Sequence, residues 1–476
     1  MQGGHYKPSW QRDTEVFVVS ALILYLQLVL IRWIGTEIRI FAYLGNLILV
    51  ACFFGTGLGC YRSALPVSLT RLGIYLLLLT GLVANPLHLE SLNLRNLIDW
   101  LAGFEDSPMW GMFIAPQQSR VVVALGVVGG LLYLIIFMFV PIGQVLGRAL
   151  SEHPHTIQAY SVNIIGSLSG IWLFAVMSWC RATPVEWFGL LAILAIVLAY
   201  VTGHRNWWFV VALGIIVCFV WIGQSSGVRT IWSPYQKLEV RHPVLADSLK
   251  QEALDGAIYT IAANGTGYQL ILNLADDFLR THPRLYNLDQ ARLSHYNLAF
   301  QFKPRIHRLL ILGAGAGNNA AAALRHGVEE IDCVEVDSEI YALGKELHPE
   351  RPYNSPRVHM HVTDARAFLK SATGSYDMIW FALLDAQPGS SYSNRQLDHY
   401  MYTLQSLKEA QRLLTQDGIL LVNLASRRKW ISERLYGILQ QVFDRPPMSF
   451  LLEFNGASEY GPPGELTLVT GNGAPT

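Results

Sequence analysis

Charge is scarce in this chain of 476 residues: Asp, Glu, Lys and Arg make up 15% of it, and 35 basic residues balance 35 acidic ones. Nucleic-acid binders carry a basic patch or stripe, so a net charge of zero points to no nucleic-acid partner. Cysteine is scarce too. Of the five, Cys52, Cys60, Cys180 and Cys218 lie in apolar runs, and Cys333 lies in an expected buried strand. Neither a disulfide framework nor zinc-ligand spacing is there, and no metal is expected. The first apolar run is long and lacks a small-residue cleavage pattern, so no cleavable signal peptide is expected.

Apolar residues are what the chain has in excess. Its 52% hydrophobic content and mean hydropathy of +0.30 are unusual for a soluble enzyme. A cut near residue 228 explains both. From Glu15 to Gln224 the sequence is a series of apolar runs, near 15–34, 39–60, 69–87, 121–146, 160–180, 184–202 and 207–223. Each approaches the roughly 20 residues needed to cross a bilayer. Seven spans are therefore expected, the third being the least continuous, with only Leu72 to Ala84 uninterrupted. Arg and Lys are spread over loops on both sides, so their count does not orient the chain. Residues 93–116 have room for an interfacial or re-entrant helix. Gly55 with Gly59, and Gly166 with Gly170, stand four apart, a spacing that lets helices approach closely. Asn46, Gln144 and Asn163 read as polar ties between helices, and Arg32 with Glu37 as a structural pair near an interface.

Beyond Gly227 the texture changes. Residues 233–240 (SPYQKLEV), 257–262 and 268–274 read as short strands, with Asn264-Gly265 as a hairpin turn. Then strands alternate with helices: strand 309–312, helix 319–326, a strand ending at Glu335, helix 338–347, strand 358–362, helix 365–371, strand 376–382, loop 383–396, helix 400–414 and strand 418–423. A helix at 430–442 and a closing antiparallel pair, 449–454 with 465–470, complete the series. Such alternation implies a doubly wound α/β domain with ligands at the carboxyl ends of its strands. The fold class expected is a helical transmembrane bundle fused to a Rossmann-like α/β domain of the S-adenosylmethionine-methyltransferase type, with a small β region between. Its expected divisions are 1–228, 229–300 and 301–476.

The stretch from Arg308 to Asp337, RLLILGAGAGNNAAAALRHGVEEIDCVEVD, carries the chemistry. A buried strand leads into Gly313, Gly315 and Gly317, where side chains would stop the backbone turning tightly or lying against a ligand. The following helix points unpaired N–H groups at the same spot. An acid at the end of the next strand can accept hydrogen bonds from both ribose hydroxyls. Glu335 suits that role, whereas Asp337 reads as the cap of the next helix. The spacing is G-x-G-x-G, with Asn318 where a dinucleotide motif has its third glycine. That fits an S-adenosylmethionine enzyme better, although a tight strand-to-helix turn alone would use the same glycines.

Tyr235, Gln236 and Val240, then LILGAGAGN, VEVD, PRV…TDAR, YDMIWFALLD and LLTQDGILLV, resemble the spermidine/spermine synthase family of polyamine aminopropyltransferases. The resemblance is closer still to its multi-pass bacterial membrane branch, through HPERPY (His348 to Tyr353), DARAFL (Asp364 to Leu369) and LLD. It implies S-adenosylmethionine or decarboxylated S-adenosylmethionine as co-substrate. By the same resemblance, Gln236 lies near the sulfonium end, Gly313, Gly315 and Gly317 line the methionine-derived moiety, and Glu335 takes the ribose. Asp364 and Ala365 would address the adenine, a role that does not exclude Asp364 from capping its helix. The family's GGGDG carries an Asp where this chain has Ala316, and the first Asp of D-S-x-D-P falls on Ala382. Only the second carboxylate survives, as Asp385, the candidate general base; Tyr392, His399 and Tyr402 could shape the acceptor site. A diamine acceptor needs carboxylates to hold its distal ammonium and to drain the proton from the attacking nitrogen. The acceptor expected is therefore a non-standard small molecule or a lipid-like, membrane-associated one. S-adenosylmethionine lyase or methyltransferase chemistry is an alternative, and a transporter or membrane scaffold with a nucleoside-sensing domain is another. A cytosolic co-substrate implies an external N-terminus and a cytosolic C-terminus in a bacterial inner membrane; a homodimer is the assembly allowed.

Overall fold

The computed structural model describes residues 9–38, 40–41, 45–87, 89, 94, 118–204, 206–224, 228–243, 258–283, 294–303, 305–384, 400–424, 429–452 and 465–474. The chain divides into two compact units, residues 1–104 with 114–228, and residues 105–113 with 229–476.

The described part of the first unit is helical: α1 (Ser9–Glu37), α2 (Gly45–Tyr61), α3 (Leu69–Ala84), α4 (Gln118–Ser151), α5 (Thr156–Trp179), α6 (Pro184–Val201) and α7 (Trp207–Ile222). Four stretches, Trp10–Glu37, Val122–Ser151, Thr156–Trp179 and Pro184–Val201, are long and apolar enough to cross a membrane. The expectation of seven spans is corrected to four by that measure. The other three runs are helical and apolar but stop short. At α3 the cause is visible: Asn85 takes the left-handed conformation, φ 43, and Pro86 follows. Its 16 residues rise about 24 Å, against a hydrocarbon core of roughly 30 Å. Apart from residue 94, the segment 93–116 lies outside the described residues.

Glycine sets how these helices meet. A Cβ on Gly59 of α2 would lie 2.4 Å from the Val140 carbonyl oxygen of α4, and one on Gly143 of α4 would lie 2.4 Å from that of Thr56. Gly166 and Gly170 of α5 meet Phe17 and Ala21 of α1 in the same way. Asn163 accepts from Ser20 Oγ at 2.7 Å, and Gln144 Nε2 donates to the Arg62 carbonyl at 3.1 Å. Both therefore tie helices together, whereas Asn46 is exposed in the first turn of α2. Arg32 lies over the Trp187 ring, 5.0 Å from its centroid.

In the second unit a four-stranded antiparallel sheet comes first, ordered β1 (Arg229–Trp232), β2 (Lys237–Arg241), β3 (Tyr259–Ala263), β4 (Thr266–Ile271). Residues 233–240 are thus not one strand. Pro234 suits the second position of a tight turn, Ser233 Oγ accepts from the N–H groups of Tyr235 and Gln236 at 3.1 and 3.0 Å, and the Ser233 N–H closes onto the Gln236 carbonyl at 2.9 Å. Asn264 and Gly265 join β3 to β4 with positive φ, 50 and 76, as a two-residue hairpin requires. Helices α8 (Asp276–Thr281) and α9 (His295–Phe302) follow.

The main sheet has seven strands in the order β10 (Met448–Leu452), β11 (Glu465–Thr470), β9 (Leu414–Leu424), β8 (Tyr376–Phe381), β5 (Arg308–Leu312), β6 (Glu330–Glu335), β7 (Val358–Val362). Pairings from β9 through β7 are parallel, and β11 is antiparallel to both of its neighbours. This mixed sheet, with α10 (Asn318–Arg325), α11 (Ser338–Leu347), α12 (Ala365–Ser371), α13 (Leu404–Arg412) and α14 (Lys429–Phe443), forms a Rossmann-like methyltransferase fold. Side chains alternate across it. Leu309, Ile311, Cys333 and Trp380 enter one apolar layer, while Leu310, Leu312, Val334 and Phe381 enter the other. Each such fully buried Leu or Ile is worth about 1.5–3 kcal/mol. Residues 400 and 401 are helical, but the expected helix is interrupted there and α13 begins at Leu404, where the Thr403 side chain accepts from the Ser406 N–H.

Candidate functional site

Strand β5 lies between β8 and β6, and the chain leaves its carboxyl end toward α10 and β6 on one side while β8 comes in on the other. A crevice at such a reversal is where open α/β sheets bind ligands. The backbone N–H groups of the loop filling it are taken up by β6, by Gln269 of β4 and by the loop itself. Gly313 and Ala314 N–H donate to the Val334 carbonyl at 2.9 and 3.0 Å, and Gly317 N–H to that of Ala314 at 3.2 Å. Gly315 N–H donates to Glu335 Oε2 at 2.9 Å and Ala316 N–H to Gln269 Oε1 at 3.0 Å. A phosphate cradle needs free N–H groups; here all five are already used.

The three glycines have positive φ, and each lies against a neighbour that a Cβ would strike: an added Cβ would lie 2.4 Å from Leu384 Cδ2 at Gly313, 2.6 Å from Gln269 Oε1 at Gly315, and 2.8 Å from Pro352 Cγ at Gly317. Tyr353 braces the loop from below, its hydroxyl donating to the Gly315 carbonyl at 2.6 Å. Asn318 fastens the loop to the small sheet. Its Nδ2 donates to the Leu270 carbonyl at 2.7 Å, and its Oδ1 accepts from Leu272 N–H at 3.1 Å and pairs with His348 Nε2 at 3.2 Å. His348 Nδ1 accepts from Glu350 N–H at 3.2 Å, so the proton sits on Nε2. Burial pushes the imidazole down to about 3 and keeps it neutral.

Glu335 ends β6 and is 4% exposed. Its two oxygens accept from Gly315 and Asp337 N–H, the latter at 3.0 Å. Each oxygen keeps a lone pair for a further donor. Burial pushes its carboxyl up to about 7, against the pull of the backbone N–H groups. Asp337 caps α11 by accepting from Glu339 N–H at 3.0 Å. Its other oxygen accepts from Ser233 Oγ at 2.7 Å and from Gln236 Nε2 at 3.3 Å. Burial raises this carboxyl too, with those donors opposing. Asp364 caps α12, its Oδ1 accepting from Ala367 N–H at 2.8 Å, and Ala365 is the first residue of that helix. The neighbouring Thr363 N–H donates to the Glu335 carbonyl at 3.1 Å, tying the ends of β6 and β7 together. Tyr235 stands among these acids: partial burial and the charges of Asp337, Asp364 and Glu335 raise its phenol. Gln236, the glycine loop, Glu335 and Asp364 thus meet at one end of the sheet. Asp385, Tyr392 and His399 lie outside the described residues. Tyr402 packs into the core, its ring 6.5 Å from that of Phe381. Among the described residues no three His, Cys, Asp or Glu side chains are grouped to hold a metal ion.

Residues 290–441 match the Spermine/spermidine synthase domain family. The C-terminal unit carries a spermine/spermidine synthase domain. Polyamine aminopropyltransferase from Clostridium acetobutylicum is 31% identical over 124 residues, 25% of this chain and 40% of that protein. The corresponding protein of Vibrio vulnificus is 30% identical over 129 residues, 27% and 41% of the two chains. The chain therefore spans about two fifths of the length of these curated relatives. Among solved structures, spermidine synthase from Thermotoga maritima is 15% identical with a TM-score of 0.38, covering 52% of this chain and 74% of that one. A spermidine synthase in complex with the transition state analogue AdoDATO is 16% identical, with the same TM-score of 0.38 and the same coverage of 52% and 74%.

The two alanines at positions where the resemblance expects carboxylates are built into the fold. Ala316 is fully buried with Leu238, Val240, Ile340 and Leu343, and the absent side chain of Gly344 lets α11 lie against its carbonyl. An aspartate there would bring a charge into an apolar cluster. Ala382 is buried beside β5, its N–H donating to the Leu312 carbonyl at 3.0 Å. Just after it, Leu383 has φ 44, unusual for a bulky residue, at the bend that brings Leu384 over Gly313. Gln269 and Tyr353 are loop partners that sequence reasoning missed. They reach it across 47 and 38 residues, and only HPERPY, already notable in the sequence, hinted at Tyr353.

Proposed function

We propose that the chain is a membrane-embedded, spermidine-synthase-like transferase that takes S-adenosylmethionine or its decarboxylated form and moves an alkyl group, aminopropyl-like, to a non-standard or membrane-associated acceptor. One observation carries this reading: a glycine loop whose N–H groups are all occupied, beside a buried carboxylate with lone pairs to spare. That combination suits a ribose and an uncharged or cationic tail, not a pyrophosphate. In this reading Glu335 takes the ribose hydroxyls, Asp364 and Ala365 address the adenine, and Gln236 with Gly313, Gly315 and Gly317 surrounds the sulfur end. The acceptor's lone pair attacks the carbon beside the sulfonium, the C–S electrons return to sulfur as a neutral thioether, and Asp385 takes the proton from the attacking atom. The match of residues 290–441 to the synthase family supports the chemistry.

The membrane assignment for residues 1–228 draws on the four long apolar helices and on what their surfaces carry. Phe53, Phe54, Ile165 and Trp172 are exposed along the helices. Tyr61, Trp179, Tyr200, Trp207, Trp208 and Trp221 are exposed near helix ends, where interfacial aromatics sit. Residues 229–300 and 301–476 are then the β region with its linker helix and the catalytic domain, facing the cytosol.

The burial of Ala316 and Ala382 as plain methyl groups favours a second reading, a lyase that needs no acceptor amine. Product analysis separates the possibilities. Purified full-length chain is incubated with S-adenosylmethionine and, separately, with the decarboxylated form, each with and without a membrane lipid and small-amine extract as the source of acceptor. Methylthioadenosine together with an alkylated acceptor is the expected result; methylthioadenosine without one means a lyase, and S-adenosylhomocysteine means methylation. Binding with no product at all would overturn the enzymatic reading in favour of a sensor. Asp385→Asn should abolish turnover and leave nucleoside binding nearly unchanged.

A further inference from the structure

Gln236 closes the turn between β1 and β2, and what holds its side chain is a carboxylate from the main sheet. Gln236 Nε2 lies 3.3 Å from Asp337 Oδ2, and Ser233 Oγ donates to the same oxygen at 2.7 Å. Asp337 Oδ1 accepts from Glu339 N–H at 3.0 Å, and the residue is 1% exposed. These three partners of the carboxylate are all donors. The two ends of a glutamine amide have nearly the same shape, so only their partners fix which end points where. An ionised carboxylate accepts and cannot donate. The Gln236 nitrogen must therefore turn toward Asp337 with one of its two N–H groups, and the end of the amide that faces away from the carboxylate is the carbonyl oxygen.

We propose that Asp337 is a positioning residue that turns Gln236 so that its carbonyl oxygen meets the ligand, making the site selective for a nucleoside with a positive centre over its neutral thioether. This rests on the nucleoside reading of the site and adds to it a polarity that the glycine loop and Glu335 do not supply. A carbonyl oxygen facing a sulfonium is an attractive contact between a dipole and a charge; the same oxygen facing a thioether gains nothing. The alkyl-transfer step likewise leaves a neutral thioether, methylthioadenosine, so the device also weakens the hold on the spent nucleoside. Ser233 is part of it, because its hydroxyl completes the donor shell of Asp337 and its Oγ sets the turn that delivers Gln236.

The test compares ligands that differ by one methyl group and one charge. Calorimetry on the full chain in detergent measures S-adenosylmethionine against S-adenosylhomocysteine, and the decarboxylated sulfonium against its aminopropyl thioether. The wild type should prefer the sulfonium by about tenfold, as expected for a hydrogen-bonding dipole meeting a charge. Asp337→Asn and Gln236→Met should each bring that ratio close to one, and the double variant should lower it no further, since both changes remove one interaction. Should Asp337→Asn fail to fold, Ser233→Ala takes its place in the cycle, with a smaller drop that vanishes in the Gln236→Met background. Equal weakening of both ligands, or additive losses in the double variant, would overturn the positioning role while leaving the nucleoside site standing. No binding of any of the four ligands to the wild type would remove the nucleoside reading and this inference with it.

Discussion

Glu335 does two things with one carboxylate: it pins the glycine loop through Gly315 and keeps lone pairs for a ligand. Its ionisation is accordingly expensive. With the folded value raised from 4.5 to about 7, the folded empty protein binds more protons than the unfolded chain between those values. Its contribution to stability is then full below 4.5 and is lost as pH rises through 7. Ribose hydroxyls donating to the anion offset part of that cost, so binding should favour the ionised form. Nucleoside affinity is expected to fall by up to about tenfold per pH unit below 7, measured by calorimetry between pH 8 and pH 5.5. Glu335→Gln should bind more weakly at pH 8 and show no such inflection. The variant also leaves one of two backbone N–H groups facing an amide NH2, which costs about 1–3 kcal/mol of stability, so its melting temperature is recorded alongside. An affinity that is flat with pH in the wild type would remove Glu335 from the ribose.

At the scale of elements, local patterning was readable and long-range contacts were not. The run LLIL followed by spaced glycines could only be a strand and a tight turn, because the side chains are apolar on both faces and the loop is too crowded for Cβ atoms. The hairpin at Asn264-Gly265 was legible for a similar reason, its two positive φ values. By contrast, SPYQ merged with KLEV into one apparent strand, since nothing in the composition says that Ser233 Oγ will capture two N–H groups. Gln269 looked like any polar residue on a strand until the fold set it against Gly315. The helices show the same division. Four-residue glycine spacing at Gly55 and Gly59 announced a close approach, but the reciprocal pair Gly143 and Gly147 on α4 emerged only from the packing. Their contact is backbone on backbone, so a side chain cannot be absorbed by rotamer changes. Gly143→Val should therefore separate α2 from α4 and lower the melting temperature of detergent-solubilised chain by several degrees or abolish its folded yield, as overpacking costs about 1–3 kcal/mol or more. Gly126→Val on the same helix, where nothing lies within 4 Å of the added Cβ, should be tolerated. Equal behaviour of the two variants would mean that α2 and α4 do not meet as described.

For the whole molecule, the imbalance between apolar content and charge has to be resolved at a surface. A water-soluble monomer rarely exposes an apolar patch beyond a few hundred square ångströms, yet the first unit exposes Phe53, Phe54, Val122, Ile165, Trp172, Val176 and Ile193 along its helices. Backbone polarity raises no objection to lipid, because a helix satisfies its own N–H and C=O groups. The short helices are the real difficulty. At about 1.5 Å per residue, α2, α3 and α7 fall a few ångströms short of an average bilayer, and thinning or snorkelling of flanking residues accommodates such a mismatch at fractions of a kcal/mol per ångström. Four helices long and apolar enough to span, with three shorter ones in the same unit, are thus compatible with one membrane unit. The expected outcome is that the expressed chain sediments with membranes, stays in the pellet through an alkaline carbonate wash, and enters solution only with detergent. Carbonate strips proteins held by charge or by docking, and a chain with a net charge of zero has little to hold it by charge. Release into the supernatant as a monodisperse species would show that the apolar faces are covered by protein rather than lipid, and the acceptor would then have to be sought in water.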